Sequence, residues 1–169
     1  MTVKGIELEG VWAATESLLF NYNVSYMDAK FDKFEADTNY DGEIDTILTG
    51  QPVTRAPKWM GSVDGTYTHL AGDAGNMEYK LRYSYEDKSV SSYSDVDPVF
   101  NTYLDDRAVL DASITFYDAQ DRYYFRLLGA NLTDERYRTG SLSVATIWIM
   151  SAYAPPRYFG LEFGGRLNW

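Results

Sequence analysis

Residues 157–169 read Arg157-Tyr158-Phe159-Gly160-Leu161-Glu162-Phe163-Gly164-Gly165-Arg166-Leu167-Asn168-Trp169, and this stretch decides the fold. From Phe159 onward its odd positions are Phe159, Leu161, Phe163, Gly165, Leu167 and Trp169. The even positions are Tyr158, Gly160, Glu162, Gly164, Arg166 and Asn168. Side chains of a strand alternate between its two faces, so a sustained period of two marks one apolar face and one polar or small face. The segment is a strand.

Working back along the chain, the same period recurs. In 76–86, Met77, Tyr79, Leu81, Tyr83 and Tyr85 alternate with Glu78, Lys80, Arg82, Ser84 and Glu86. In 106–117, Ala108, Leu110, Ala112, Ile114 and Phe116 alternate with Arg107, Val109, Asp111, Ser113 and Thr115. In 57–68, Trp59, Val63 and Tyr67 oppose Lys58, Ser62, Asp64, Thr66 and Thr68; in 17–27, Leu18, Phe20, Tyr22, Val24 and Tyr26 oppose Asn21, Asn23 and Ser25. Ile6, Leu8 and Trp12 oppose Glu7 and Glu9 in 4–13, and 122–132 follows the pattern if Arg126 is polar-facing and Phe125 and Leu127 are not. That makes seven strands. Globular strands average about 5–6 residues, whereas membrane-crossing strands need about 9–11; these are of the longer kind. Short links near 14–16, 70–75 and 118–121 alternate with long ones near 32–55, 88–104 and 133–156. Tight turns at one membrane surface and long loops at the other produce that alternation.

Composition agrees. Aromatic residues make up 16% of the 169-residue chain, with 15 Tyr, and there is no Cys. A disulfide framework, a thiolate metal site and a Cys nucleophile are therefore excluded. The net charge of −10 argues against nucleic acid as a partner, since phosphate backbones call for a basic face. No apolar run reaches the ~18 residues of a membrane helix, and Met1–Gly10 does not resemble a signal peptide. The fold expected is all-β: an antiparallel, up-and-down transmembrane β-barrel segment of about seven long strands, not closed on its own. Bacterial barrels have an even strand count, so an odd count is expected of a piece of something larger.

The motifs carry a resemblance. Asn131-Leu132-Thr133-Asp134-Glu135-Arg136-Tyr137 follows a strand, and Ala154-Pro155-Pro156-Arg157-Tyr158-Phe159-Gly160 leads into the last one. Together they resemble the closing signature of TonB-dependent outer-membrane receptors. Arg55-Ala56-Pro57-Lys58 and Val3-Lys4-Gly5-Ile6-Glu7-Leu8-Glu9 are similar to family patterns further upstream. The resemblance covers residues 1–169. It implies the C-terminal part of a barrel of about 22 strands, with the plug domain absent from this chain. It implies a location in the outer membrane of a Gram-negative bacterium and a part in active transport of scarce nutrients such as iron–siderophore complexes. The implied partners are outer-membrane lipid, the plug domain, the remaining barrel strands, TonB acting through the missing parts, and the barrel-assembly machinery. The terminal aromatic Trp169, where the family usually ends in Phe, with Leu161, Phe163 and Leu167 on its face, resembles the signal that machinery reads.

Several candidate sites follow. Asp37, Asn39, Asp41, Glu43 and Asp45, with Gly42 at the turn, match the opening of a calcium loop. Leu48 stands where the bidentate Glu belongs, and the competing reading is a solvated acidic turn. No other cofactor is expected. Tyr137, Trp148 and Tyr153 in the last long loop are candidate ligand contacts, or else pack on neighbouring loops. Trp12, Trp59, Tyr67, Tyr83, Tyr85, Phe159 and Trp169 are placed for aromatic girdles at the membrane surfaces. The polar faces read as cross-strand charge pairs on a wet wall, or as a lumen that meets a plug. His69 is the sole His, with no nucleophile-elbow Ser beside it, so no catalytic residue and no enzyme is expected. Two rival readings remain at this point. One is a small autonomous outer-membrane barrel, adhesin or structural, with paired first and last strands. The other is a soluble lipocalin-like binder with an apolar interior.

Overall fold

The structure, a computed structural model, describes residues 1–37, 42–94, 98–144 and 147–165. Its strands are β1 (Thr2–Ala13), β2 (Leu18–Lys30), β3 (Glu35–Ala36), β4 (Thr46–Ile47), β5 (Trp59–Leu70), β6 (Gly75–Glu86), β7 (Ser89–Ser92), β8 (Thr102–Leu104), β9 (Arg107–Asp118), β10 (Tyr123–Ala130), β11 (Arg138–Val144), β12 (Trp148–Tyr153) and β13 (Tyr158–Gly165). Seven of them form one antiparallel sheet in the order β1-β2-β5-β6-β9-β10-β13. Each neighbours the next in the chain once the loop ribbons are set aside, so the sheet is an up-and-down meander. β1 and β13 lie at its two edges. Among the described residues β1 and β13 do not pair, as an autonomous barrel would require, and the sheet is not closed on its own.

The seven expected strands are the seven observed, shifted at their ends by local chemistry. β5 begins two residues later than expected, after Pro57, which has no N–H to donate. β10 stops at Ala130 because Asn131 turns the chain at φ +51°. β6 begins at Gly75, whose φ is +131° and where a Cβ would sit 2.0 Å from the Tyr117 carbonyl oxygen; only glycine fits. The Asp118 carboxylate closes the β9–β10 turn by accepting from the amides of Arg122 (2.5 Å) and Tyr123 (2.8 Å). Arg166, Leu167, Asn168 and Trp169 lie outside the described residues.

The long loops are not plain coil. Each carries a two-stranded ribbon: β3–β4 in loop 1 (residues 31–58), β7–β8 in loop 2 (87–106) and β11–β12 in loop 3 (131–157). Two- to four-residue strands carry too little periodicity to be read from sequence. β11 escaped because Arg138-Thr139-Gly140-Ser141 is polar on both faces, and β12 because Trp148-Ile149-Met150 is apolar on both.

Register puts the apolar residues on one face. Leu8 opposes Val24, Tyr22 opposes Val63, Val63 opposes Tyr83, Tyr79 opposes Ile114 and Leu127 lies between Ile114 and Leu161. These side chains are exposed: Ile6 76%, Leu161 72%, Phe163 73%. On the other face Thr115 is fully buried, and the side chains of Asp64 and Arg107 are 16% and 21% exposed. A curved sheet crowds its concave side, so the polar face is concave and the apolar face convex. A lipocalin-like binder would have the reverse. Among the described residues the buried apolar side chains are Ala29, Val90 and Leu104, with Pro57. The accessible area is 11571 Å², against about 8,500 Å² for a compact monomer of this mass. The excess is that of a sheet whose faces and edges no second layer covers.

Candidate functional site

Three places carry the candidate side chains: the concave wall, the loop cluster above it and the convex belt. On the wall, register assembles residues distant in sequence into rows. Asn21, Asp64, Arg82 and Asp111 form one; Thr68, Glu78, Thr115, Arg126 and Glu162 form another. Arg126 donates to Glu162 at 3.1 Å and to the Thr115 hydroxyl at 3.1 Å, while the Tyr124 hydroxyl donates to the other Glu162 oxygen at 2.5 Å. Arg82 stands 3.9 Å from Asp64, and Arg107 pairs with Glu86. Such pairs on a wet wall are worth ~0–1 kcal/mol each, so they set register and field more than stability. Glu7, Glu9, Glu78 and Lys80 make no ion pair among the described residues. A groove of about 310 Å³ runs between Asp64, Lys80, Arg82, Asp111 and Arg126.

At the base of loop 3 the two closing motifs prove to be one clasp. Buried Asn131 accepts from the Glu135 amide at 2.8 Å, donates to the Glu135 carbonyl at 2.9 Å and offers its own amide to Asp111 at 2.8 Å. Asp134, at φ +55°, accepts from the Arg157 amide at 3.0 Å, and Arg157 donates back to the Leu132 carbonyl at 3.3 Å. Residues 131–137 and 154–160 therefore hold each other across the loop they flank. Beside the clasp lies a cavity of about 540 Å³ lined by Glu135, Arg136, Tyr153, Ala154 and Pro156.

Of the ligand candidates, Tyr153 lines that cavity and is 65% exposed. Tyr137 is its neighbour, since its carbonyl accepts from the Ala154 amide at 3.0 Å. The Tyr137 ring, half-buried, has one face covered by the Arg107 guanidinium at 5.0 Å. Trp148 is exposed at the other end of β12, roughly 17 Å away at ~3.3 Å per residue. The structure sets the Tyr137 backbone beside that of Ala154, places only Tyr153 of the three on the cavity and leaves Trp148 apart. Glu135, Arg136 and Pro156 were missed as cavity residues, although they sit inside the two motifs that drew notice.

Loop 3 is tied to its neighbours. Arg138 grips Asp105 with contacts of 2.8–3.0 Å, and that hydrogen bond holds the Asp105 carboxyl below the usual carboxylate range. The Tyr93 hydroxyl donates to the Pro52 carbonyl at 2.7 Å; burial pushes its pKa up. In loop 1, the Asp37 carboxylate accepts from the Gly42 amide at 2.8 Å. Asn39 and Asp41 lie outside the described residues. Among the described residues no group of three or more His, Asp or Glu is gathered to hold a metal.

The convex belt carries aromatics toward both strand ends. Near the loops, Tyr26 and Trp59 lie 4.9 Å apart, with Tyr85 and Phe159 also at that end. Near the short turns, Trp12 stacks on Phe20 at 5.5 Å, Tyr67 meets Tyr79 at 6.1 Å and Tyr123 stacks on Phe163 at 6.2 Å. Leu161 and Phe163 of the expected assembly signal stand on this face; Leu167 and Trp169 lie outside the described residues. His69 opposes Met77 on the same face.

A polar concave wall, an apolar convex belt between aromatic rows and ribboned loops at one end define a stretch of wall from a membrane-type β-barrel. Residues 1–133 match the family described as TonB dependent receptor-like, beta-barrel. The chain belongs to that family. Among solved structures it is similar to the ferric yersiniabactin uptake receptor FyuA from Yersinia pestis, with a TM-score of 0.73 and 19% identity over 95% of this chain and 23% of that one. It is also similar to the siderophore receptor PiuA from Acinetobacter baumannii, with a TM-score of 0.70 and 20% identity over 94% of this chain and 21% of that one. At these identities the likeness is one of fold, and the chain spans less than a quarter of either receptor. No curated protein matches the chain.

Proposed function

We propose that this chain is the C-terminal stretch of barrel wall, residues 1–169, of an outer-membrane active transporter for scarce nutrients, iron–siderophore complexes foremost, energised through TonB in the intact protein. The observation that carries the reading is the inverted distribution of polarity on an open family wall. The convex apolar belt would face outer-membrane lipid in a Gram-negative bacterium. The concave charge rows would face a plug domain, and the edges of β1 and β13 would pair with the remaining barrel strands. Loop 3, through Tyr137, Tyr153 and Trp148, would contribute to the ligand surface. The barrel-assembly machinery would read Leu161 and Phe163 on the outward face of β13 together with Leu167 and the terminal Trp169. The chain's role is positional, with no bond-breaking step.

The test is uptake of radioactive iron, presented as a panel of ferric siderophores, by iron-starved cells with and without the gene that encodes this wall. Loss of uptake for at least one chelate, matched by loss in cells lacking TonB, is expected. Uptake that persists without TonB but needs this gene would sink the energised-transport reading.

A further inference from the structure

Among the described residues, a cluster of buried side chains lies between two outer loops. Ser89, Val90, Ser91, Thr102, Leu104 and Ser141 are all buried there. Loop 2 treats the β11–β12 ribbon as a strand to be paired, using side chains in place of backbone. The Ser141 amide donates to the Ser91 hydroxyl at 3.1 Å, and the Ser141 carbonyl accepts from Ser91 at 2.6 Å and from Thr102 at 2.9 Å. With its hydrogen committed to Ser141, Thr102 is placed to accept from Ser92, 2.7 Å away. Ser141 and Ser151 meet at 3.0 Å within the ribbon. The Arg138–Asp105 grip and the Arg107–Tyr137 stack close the lower end of the same seam. Loop 1 joins at one corner, where the Arg55 amide donates to the Val90 carbonyl at 2.8 Å.

We propose that the β7–β8 and β11–β12 ribbons are one rigid body, so that loop 3 is a fixed wall above the barrel and not a lid that closes by itself. A buried carbonyl with two hydroxyl donors is costly to strip, because the group left unpaired keeps its full desolvation penalty. Loop 3 springs from β10 and β13, yet it is held down by residues rooted on β6 and β9. Any displacement of the surface around Trp148 and Tyr153 must therefore carry loop 2 with it. The outer placement rests on the transporter reading; the rigidity does not.

Hydrogen exchange on the protein in detergent micelles tests this, read on peptides from 89–104 and 138–153, with 75–86 and 107–118 as wall controls. Thr102→Val, which keeps shape and removes the hydroxyl, is expected to speed exchange in both ribbons by about tenfold or more while the wall peptides keep their protection. Thr102→Ser is expected to restore it. Acceleration confined to 89–104 would overturn the proposal. Should Thr102→Val not fold, the unmodified protein decides: where opening limits exchange, both ribbons must share one opening rate, and two distinct rates would overturn it. None of these outcomes depends on transport, so a failed uptake assay leaves the rigidity untouched.

Discussion

At the level of single residues, Asn131 ends β10, occupies the left-handed region, and binds both backbone groups of Glu135 while its amide reaches Asp111. Asn is among the few residues that tolerate such a φ, and its amide side chain both donates and accepts. Asp105 shows a different economy. It is half-exposed, so its value lies in orientation more than in energy. Its carboxyl in the folded protein titrates below the unfolded carboxylate range because Arg138 donates to it. The stabilisation is therefore present above the unfolded value and is lost as pH falls through the folded one. NMR titration of the Asp105 carboxyl should give a lower pKa in the unmodified protein than in Arg138→Ala, where it returns toward the ordinary range of about 3.9. Equal values in the two would show that the grip does not persist in solution.

At the level of elements, the seven long strands and their alternating connections were legible from the chain because a half-covered strand leaves an unambiguous period of two. Their order followed, since a meander with short turns leaves few choices. The loop ribbons were not legible: β3, β4, β7 and β8 are short, β11 and β12 lack a clean alternation, and what joins the ribbons of loops 2 and 3 is a hydroxyl seam between residues some 40 to 50 positions apart, such as Ser91 and Ser141. The closing motifs were seen as signatures, but their mutual clasp through Asp134 and Arg157 needed the fold. The two faces of β9 and β10 make a direct test. Leu127→Arg places a charge near the middle of the convex belt and should cost about 2–4 kcal/mol. Ser113→Arg, on the concave face one strand away, should cost less than about 1 kcal/mol. Refolding into vesicles across a urea series measures both; equal costs would mean that the belt does not face lipid.

At the level of the whole molecule, two sheet edges and one entire apolar face are left uncovered. In lipid, backbone groups at an open edge have no water to satisfy them, and in any solvent they template further pairing. The 169-residue chain, refolded by itself in detergent, is accordingly expected to associate through the β1 and β13 edges. Sedimentation velocity should show oligomers, and peptides from β1 and β13 should be less protected than those from β6 and β9. A stable monomer with both edges protected would mean that β1 and β13 pair and that the wall closes.

Sequence alone determined the strands, their length, their polarity and the rhythm of short and long connections, because these depend on which atoms each residue exposes at a fixed spacing of two. It also determined the family resemblance, because the motifs are local runs of chain. Which face is concave, which charges meet in rows and which loop residues line a cavity came from the tertiary structure. Those depend on register and curvature, which join residues far apart in the chain. The same holds for the seam between loops 2 and 3: serine and threonine have no pattern of their own, and a hydroxyl becomes structural only when a distant backbone group arrives within 3 Å of it.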